Sequence, residues 1–185
     1  RDNRSSRGLG DVYKRQGEKV DEPVGFIDLA PTLLSLVGLD KPAHMQGRAF
    51  LGSKRVAPPE DDIVFLFADR FDELYGMRRG ITDGRWKYMR RFTPYIAGAP
   101  YSYYQFSMPC WVAMRDAYQA GKLTGYHKAL WETPQAVEEL YDTQSDPWEI
   151  KNLAGEKGHA ERLAAMRERL KSKMSEIGDT GIIPE

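Results

Sequence analysis

Cysteine is nearly missing from this sequence: Cys110 stands alone among 185 residues, so no intrachain disulfide can form. Histidine is scarce too, and His44, His127 and His159 lie far apart, without the close His/Cys spacings of a structural zinc site. No long apolar run is present. The best candidate, residues 29–37, is broken by Pro31, Thr32 and Ser35 and falls short of the roughly 18 residues that span a bilayer. A surplus of either charge is lacking, since 27 Lys and Arg balance 27 Asp and Glu, which leaves no overall pull toward nucleic acid or an anionic membrane. There is no internal repeat and no low-complexity tract. What remains is 41% hydrophobic and 11% aromatic, enough for a core and too apolar for a disordered polymer, which predicts one globular unit.

Residues 1–16, RDNRSSRGLGDVYKRQ, carry five basic and two acidic side chains; without them the balance is 22 basic to 25 acidic. The stretch SSRGLGDVYKRQ resembles a translated sequencing adapter, the alternative being a native basic tail, and it is set aside from fold reasoning. The chain opens on Arg1, and no signal-peptide pattern follows. The expectation is that the natural N-terminus is absent, so that nothing about compartment follows.

Along the rest of the chain, residues 24–39 (VGFIDLAPTLLSLVGL) predict a short buried helix. Asp28 is its cap, Leu29, Leu33 and Leu36 its stripe, and Gly38 its stop. Residues 40–62 lack a sustained period and read as loop, with Asp61 and Asp62 in a solvated turn. Residues 63–68 (IVFLFA) predict a strand covered on both faces. Asp83-Gly84 between 77–82 and 85–92 predicts a tight hairpin, with Trp86 and Tyr88 on one face and Arg85 and Lys87 on the other. Residues 93–107 predict an ordered irregular loop, and 111–120 a helix stopped by Gly121. Residues 139–141 predict a strand, followed by Asp146-Pro147-Trp148-Glu149 as a turn into a short helical segment. Leu163, Met166, Leu170 and Met174 form the stripe of an amphipathic final helix.

Five blocks in this order, FIDLAPTLLSLVGL, MQGRAFLG, GITDGRWKYMRRF, ELYDTQSDPWEIKNLA and GDTGIIPE, are similar to the C-terminal part of bacterial sulfatases. Within that family the pattern ELYD-x-x-x-DP-x-E-x-x-NLA at residues 139–154 resembles the N-sulfoglucosamine sulfohydrolase branch, the relatives of heparan N-sulfatase. The resemblance implies an α/β sulfatase-type fold of the alkaline phosphatase superfamily, present here as a fragment. Residues 17–57 would end the N-terminal catalytic domain. Residues 58–185 would form a C-terminal α+β subdomain, an antiparallel sheet of about four strands packed against a C-terminal helix. The implied activity of the parent is hydrolysis of sulfate esters or sulfamates of sugars, in a bacterial periplasmic or secreted enzyme.

Such enzymes use a formylglycine made from Cys in a C-x-P-x-R motif and a calcium ion held by oxygen ligands. Cys110 is followed by Trp111, Val112, Ala113 and Met114, so it fails that motif. The expectation is therefore no catalytic residue, no metal ligand and no cofactor in this chain, and no activity from it alone. The implied partners are a missing N-terminal sulfatase domain and a sulfated carbohydrate, with neither nucleic acid nor a membrane span. Two alternatives stand beside this reading: a non-catalytic carbohydrate-binding or interaction module, and a phosphoester or phosphonate hydrolase of the same superfamily.

Candidate substrate-binding residues follow from residue type and placement. Asp69, Arg70, Asp72 and Glu73 crowd the end of a strand, where an Arg can take sulfate or a sugar carboxylate and carboxylates can accept sugar hydroxyls. The bland alternative is a surface loop with internal ion pairs. Arg78 and Arg79 alternate, so one at most faces a given side. His44 and Gln46 lie in the HMQGR loop, which the resemblance brings near the substrate mouth. Trp86, Tyr88, Tyr101, Tyr103 and Tyr104 offer rings for stacking on sugars, though hairpin aromatics more often fill a core. RWKYMRRF also reads as a basic, aromatic nucleic-acid strand, a reading outweighed by the acidic balance elsewhere and by the family likeness.

Overall fold

The computed structural model describes residues 22–71 and 73–181. The basic segment at 1–16, Asp72 and the last residues of the GDTGIIPE block lie outside the described residues. Composition predicts one unit; the chain divides instead into two compact ones, the second beginning at Phe65.

In the first unit a 3-10 turn, Phe26–Asp28, runs into helix α1, Leu29–Leu36. Asp28 is buried at the junction, where its carboxylate accepts from the N–H groups of Gly25 (2.9 Å) and Arg48 (2.8 Å). The helix turns its Pro31, Thr32 and Ser35 side inward, against the loop at 47–54. There Thr32 Oγ1 accepts from Phe50 N–H, and Ser35 Oγ from Lys54 N–H. Gly52, at φ 89°, allows this approach, since a Cβ there would stand 2.5 Å from Ser35 Oγ.

This corrects the expected buried leucine stripe: Leu29 and Leu33 are exposed, as are Phe26 and Val37. The loop supplies backbone donors, and donors seek hydroxyls, so the polar side of the helix is the one that packs. A second correction concerns Asp62. Its carboxylate lies 2.5 Å from Arg48 Nη2 instead of standing free in a solvated turn. Asp61 remains exposed in the turn.

The second unit is built on a four-stranded sheet in sequential order: β1 (Val64–Phe71), β2 (Leu74–Thr82), β3 (Trp86–Arg91) and β4 (Glu138–Asp142). The β2/β3 and β3/β4 pairs are antiparallel. The hairpin at Asp83-Gly84 is present. Gly84 sits at φ 93°, and the Asp83 carboxylate accepts from the N–H groups of Arg85 and Trp86. β1 is an edge strand, exposed from Phe67 onward, and not the doubly covered strand expected from its apolar run.

Register explains the core. Ile81 pairs with Tyr88 and Tyr88 with Leu140, forming a row across three strands in which every side chain is fully buried. Helix α5, Ala160–Ile177, lays Leu163, Met166 and Leu170 into this core, as its stripe predicts. Arg167 of α5 grips Glu138 through two bonds, of 2.7 and 2.8 Å, and Tyr88 donates to the same carboxylate at 2.6 Å.

Between β3 and β4 lie α2 (Tyr103–Phe106), α3 (Pro109–Gln119) and α4 (Gly125–Ala129). They are held by an aromatic cluster in which Trp131 meets Phe106, Trp111 and Tyr118. α3 matches the helix expected at 111–120; α2 adds a short turn where loop was expected, and α4 lies in a stretch for which the sequence predicts no element. The helical segment expected after Asp146 is absent. Asp146 accepts from Lys151 N–H in a turn, and Glu149 takes φ 53°, outside the helical range.

Candidate functional site

Alternation along β2 sends its two arginines to opposite faces. Arg79 goes to the side of Ile81 and is buried. It pairs with Asp69 at 2.7 Å and with Asp179 just beyond α5 at 2.5 Å. Hydrogen bonds from Arg79 hold the Asp179 carboxyl below the usual range. The Asp69 and Arg79 charges thus form an internal network.

Arg78 goes to the other face, into a cleft of about 600 Å³ between the β1/β2 end of the sheet and the loop at 93–105. Arg70, Arg78 and Arg91 all line it. The exposed rings of Phe67, Phe71 and Tyr75 stand at its edge, and Gln105 closes the loop side. Arg78 and Arg91 are cross-strand partners in the β2/β3 register. Arg91 is buried and pairs with Glu139 at 2.9 Å. Burial first, and then the facing Arg91 charge, pull Arg78 below the usual arginine range. The Nε atoms of both arginines and Oε1 of Gln105 are buried without a hydrogen-bond partner among the described residues. Chemically, the cleft offers guanidinium donors for an oxyanion, an amide oxygen for a hydroxyl, and rings for a sugar face.

The residues singled out from sequence divide among several places. Arg70 and Arg78 meet in the cleft. Glu73 is exposed and accepts from Tyr103 N–H at 2.7 Å, ahead of α2; hydrogen bonds from its own backbone N–H and then from Tyr103 lower its pKa. His44 and Gln46 are exposed in the first unit and do not line this cleft. Tyr88 is a core residue, and its phenol is pushed up to about 12 by burial and by Glu138. Trp86 is engaged by His159, Arg85 and Arg162. Tyr101, Tyr103 and Tyr104 are exposed. Phe67, Phe71, Tyr75, Arg91 and Gln105 escaped the sequence reading. Of these, Arg91 was hidden by the turn: counted outward from Asp83-Gly84, Arg78 would face Met89, whereas Asp83 N–H donates to the Trp86 carbonyl, the turn centres on Gly84-Arg85, and the register sets Arg78 opposite Arg91.

Calcium and formylglycine do not fit the residues described. No group of three or more His, Cys, Asp or Glu side chains converges among them, and the exposed Cys110 lacks the Pro and Arg of the conversion motif.

No protein-family model matches the chain. It is similar to an ulvan-active sulfatase from Formosa agariphila, at 33% identity over 162 residues, covering 88% of this chain and 27% of that protein. The chain thus spans about a quarter of the length of this curated relative. Among solved structures it resembles a 2-O GAG sulfatase, with a TM-score of 0.56 and 22% identity over 89% of this chain and 28% of that one. It also resembles a protein solved with its substrate D-glucosamine-2-N,6-O-disulfate, with a TM-score of 0.50 and 16% identity over 83% of this chain and 24% of that one. The four-stranded antiparallel sheet with its C-terminal helix is therefore the fold these proteins share with it.

Proposed function

From a chain whose sequence likeness and fold both point to the sulfatase family, we propose the C-terminal, substrate-gripping part of an enzyme that hydrolyses sulfate esters or sulfamates of sugars. In this reading the nucleophile and its divalent cation are supplied by sequence beyond these 185 residues, and the missing N-terminal sulfatase domain is the chain's partner. The parent is calcium-dependent and carries a formylglycine.

The observation that carries the proposal is the cleft with Arg70 and Arg78 at the end of a rigid sheet, edged by exposed aromatic rings. Loops and strand ends of this kind hold binding groups in place, and an arginine fork suits sulfate and carboxylate alike. The relatives' own substrates, as named, are ulvan, 2-O-sulfated GAG and a disulfated glucosamine, all sulfated carbohydrates. The block at residues 139–154 supports the finer N-sulfoglucosamine reading, whereas the ulvan-active relative favours an O-sulfated polysaccharide.

The test is to recover the adjoining gene sequence, express the joined protein, and assay it on ulvan, on heparan oligosaccharides and on an aryl sulfate. Arg70→Ala is expected to lower kcat/KM on the natural sugar by about 1.5 to 3 kcal/mol, and to leave the aryl sulfate nearly untouched. Equal loss on both would move Arg70 into catalysis or structure. A joined protein with no C-x-P-x-R motif and no sulfatase activity would sink the proposal.

A further inference from the structure

Among the described residues, Arg78 stands apart from the other arginines. Arg48, Arg55, Arg79, Arg85, Arg91, Arg115, Arg167 and Arg169 each meet a carboxylate, and Arg90 and Arg162 lie over aromatic rings. The Arg78 side chain is half-buried and makes no hydrogen bond or ion pair among the described residues. It is set directly opposite a second arginine, Arg91, and like charges facing each other across an antiparallel pair are destabilising. Glu139 pairs directly with Arg91, at 2.9 Å, and reaches Arg78 only as a weaker through-space attraction, while the nearby Asp69 is already committed to Arg79. A half-buried cation is costly without a partner, so the arrangement has a counter-charge still to come. Gln105 Oε1, buried and unpartnered on the loop side of the same cleft, asks in addition for a donor.

We propose that the Arg78–Arg91 pair binds an oxyanion carried on the sugar ring, with Gln105 accepting from a neighbouring hydroxyl, so that the cleft selects polyanionic saccharides. This rests on the cleft being a carbohydrate site. The shared chemistry is a carboxylate or a sulfate held by guanidinium forks. A uronate and a second sulfate are its two sources.

The test uses the whole 185-residue chain, titrated by tryptophan fluorescence at low protein concentration. Three probes are compared: a sulfated disaccharide bearing a uronate, the same disaccharide with its carboxyl reduced to an alcohol, and a neutral-backbone disaccharide bearing one or two sulfates. Wild type is expected to favour the uronate over its reduced form by about tenfold or more, and Arg78→Gln to abolish that preference. Arg78→Lys should restore only part of it, because a point charge lacks the fork. A preference for the disulfated over the monosulfated probe, lost in Arg78→Gln, would support the same site with sulfate as its ligand.

Thermal melting supplies the second readout. Since Arg78 is unpaired in the free chain, Arg78→Gln is expected to leave Tm unchanged or raise it. A lowered Tm would make Arg78 a structural residue and overturn the inference. Binding of all probes alike, unaffected by Arg78→Gln, would overturn the anion site while leaving the cleft a sugar site. Failure of every probe to bind would overturn the carbohydrate reading itself, and this inference with it.

Discussion

At the scale of single residues, the blocks that make the family legible serve the fold more than the chemistry. Asn152, in the NLA of the 139–154 pattern, accepts from the N–H groups of Leu140 and Ala154 and donates to the Glu138 carbonyl, each bond 3.0 Å. It latches the chain after β4 back onto the strand. Asn152→Ala leaves these backbone groups unsatisfied and is expected to cost about 2 to 4 kcal/mol, read as a fall in the urea midpoint at unchanged m-value. In the GDTG block, Gly178 and Gly181 take positive φ, and Asp179 between them meets Arg79. Glu138 carries a pH signature. Its carboxyl is held below the ordinary 4.5, chiefly by hydrogen bonds from Arg167. A depressed carboxyl contributes stability above its unfolded pKa and loses it as pH falls through the folded one. Stability should therefore drop on acidification below about pH 4.5, and Arg167→Gln should shrink that drop. Denaturant midpoints measured from pH 7 to 3 check this; equal acid sensitivity in both proteins would exclude the Arg167–Glu138 pair as its source.

Among the elements, two helices with similar stripes behave in opposite ways. Leu170 of α5 is 2% exposed, whereas Leu33 of α1 is 56% exposed. Leu170→Ala is expected to cost about 2 to 5 kcal/mol, and Leu33→Ala less than about 0.5 kcal/mol in this chain. Chemical denaturation of the two variants distinguishes them. The periodicity of both helices was legible from the sequence. What period 3.6 does not tell is whether a neighbour exists to receive the stripe. For α5 the receiver is the Ile81, Tyr88 and Leu140 row, written in the same chain. For α1, the loop at 47–54 takes the hydroxyl side, and the apolar side stays uncovered.

For the whole molecule, exposed Phe26, Leu33 and Val37 predict sticky behaviour. The chain is expected to self-associate with rising concentration, and Phe26→Asp with Leu33→Glu to suppress this, as sedimentation velocity would show. A wild-type chain that stays monomeric throughout would argue that this face needs no cover. The chain by itself is also expected to turn over neither aryl sulfates nor N-sulfoglucosamine, because the described residues offer no formylglycine motif and no oxygen cluster for a hard cation. Turnover by the purified chain, free of contaminating sulfatase, would overturn that.

The sequence by itself determined the hairpin, the helices at 111–120 and at the C-terminal end, and the family likeness, because turn chemistry, periodicity and motif spacing are local properties of a chain. It also foretold that Arg78 and Arg79 part company, since a strand alternates with period two. It left β1 mistaken for a buried strand, because burial depends on how many neighbours the sheet order provides, and β1 is at the edge. Only the tertiary structure decided which charges of β1, β2 and the turn between them are spent internally and which face a cleft. Asp69 goes to Arg79 and Glu73 to the Tyr103 N–H, while Arg78 is left opposite Arg91. That choice is made by groups from strands, loops and a helix end far apart in sequence, and only their meeting in space brings one charge within reach of another.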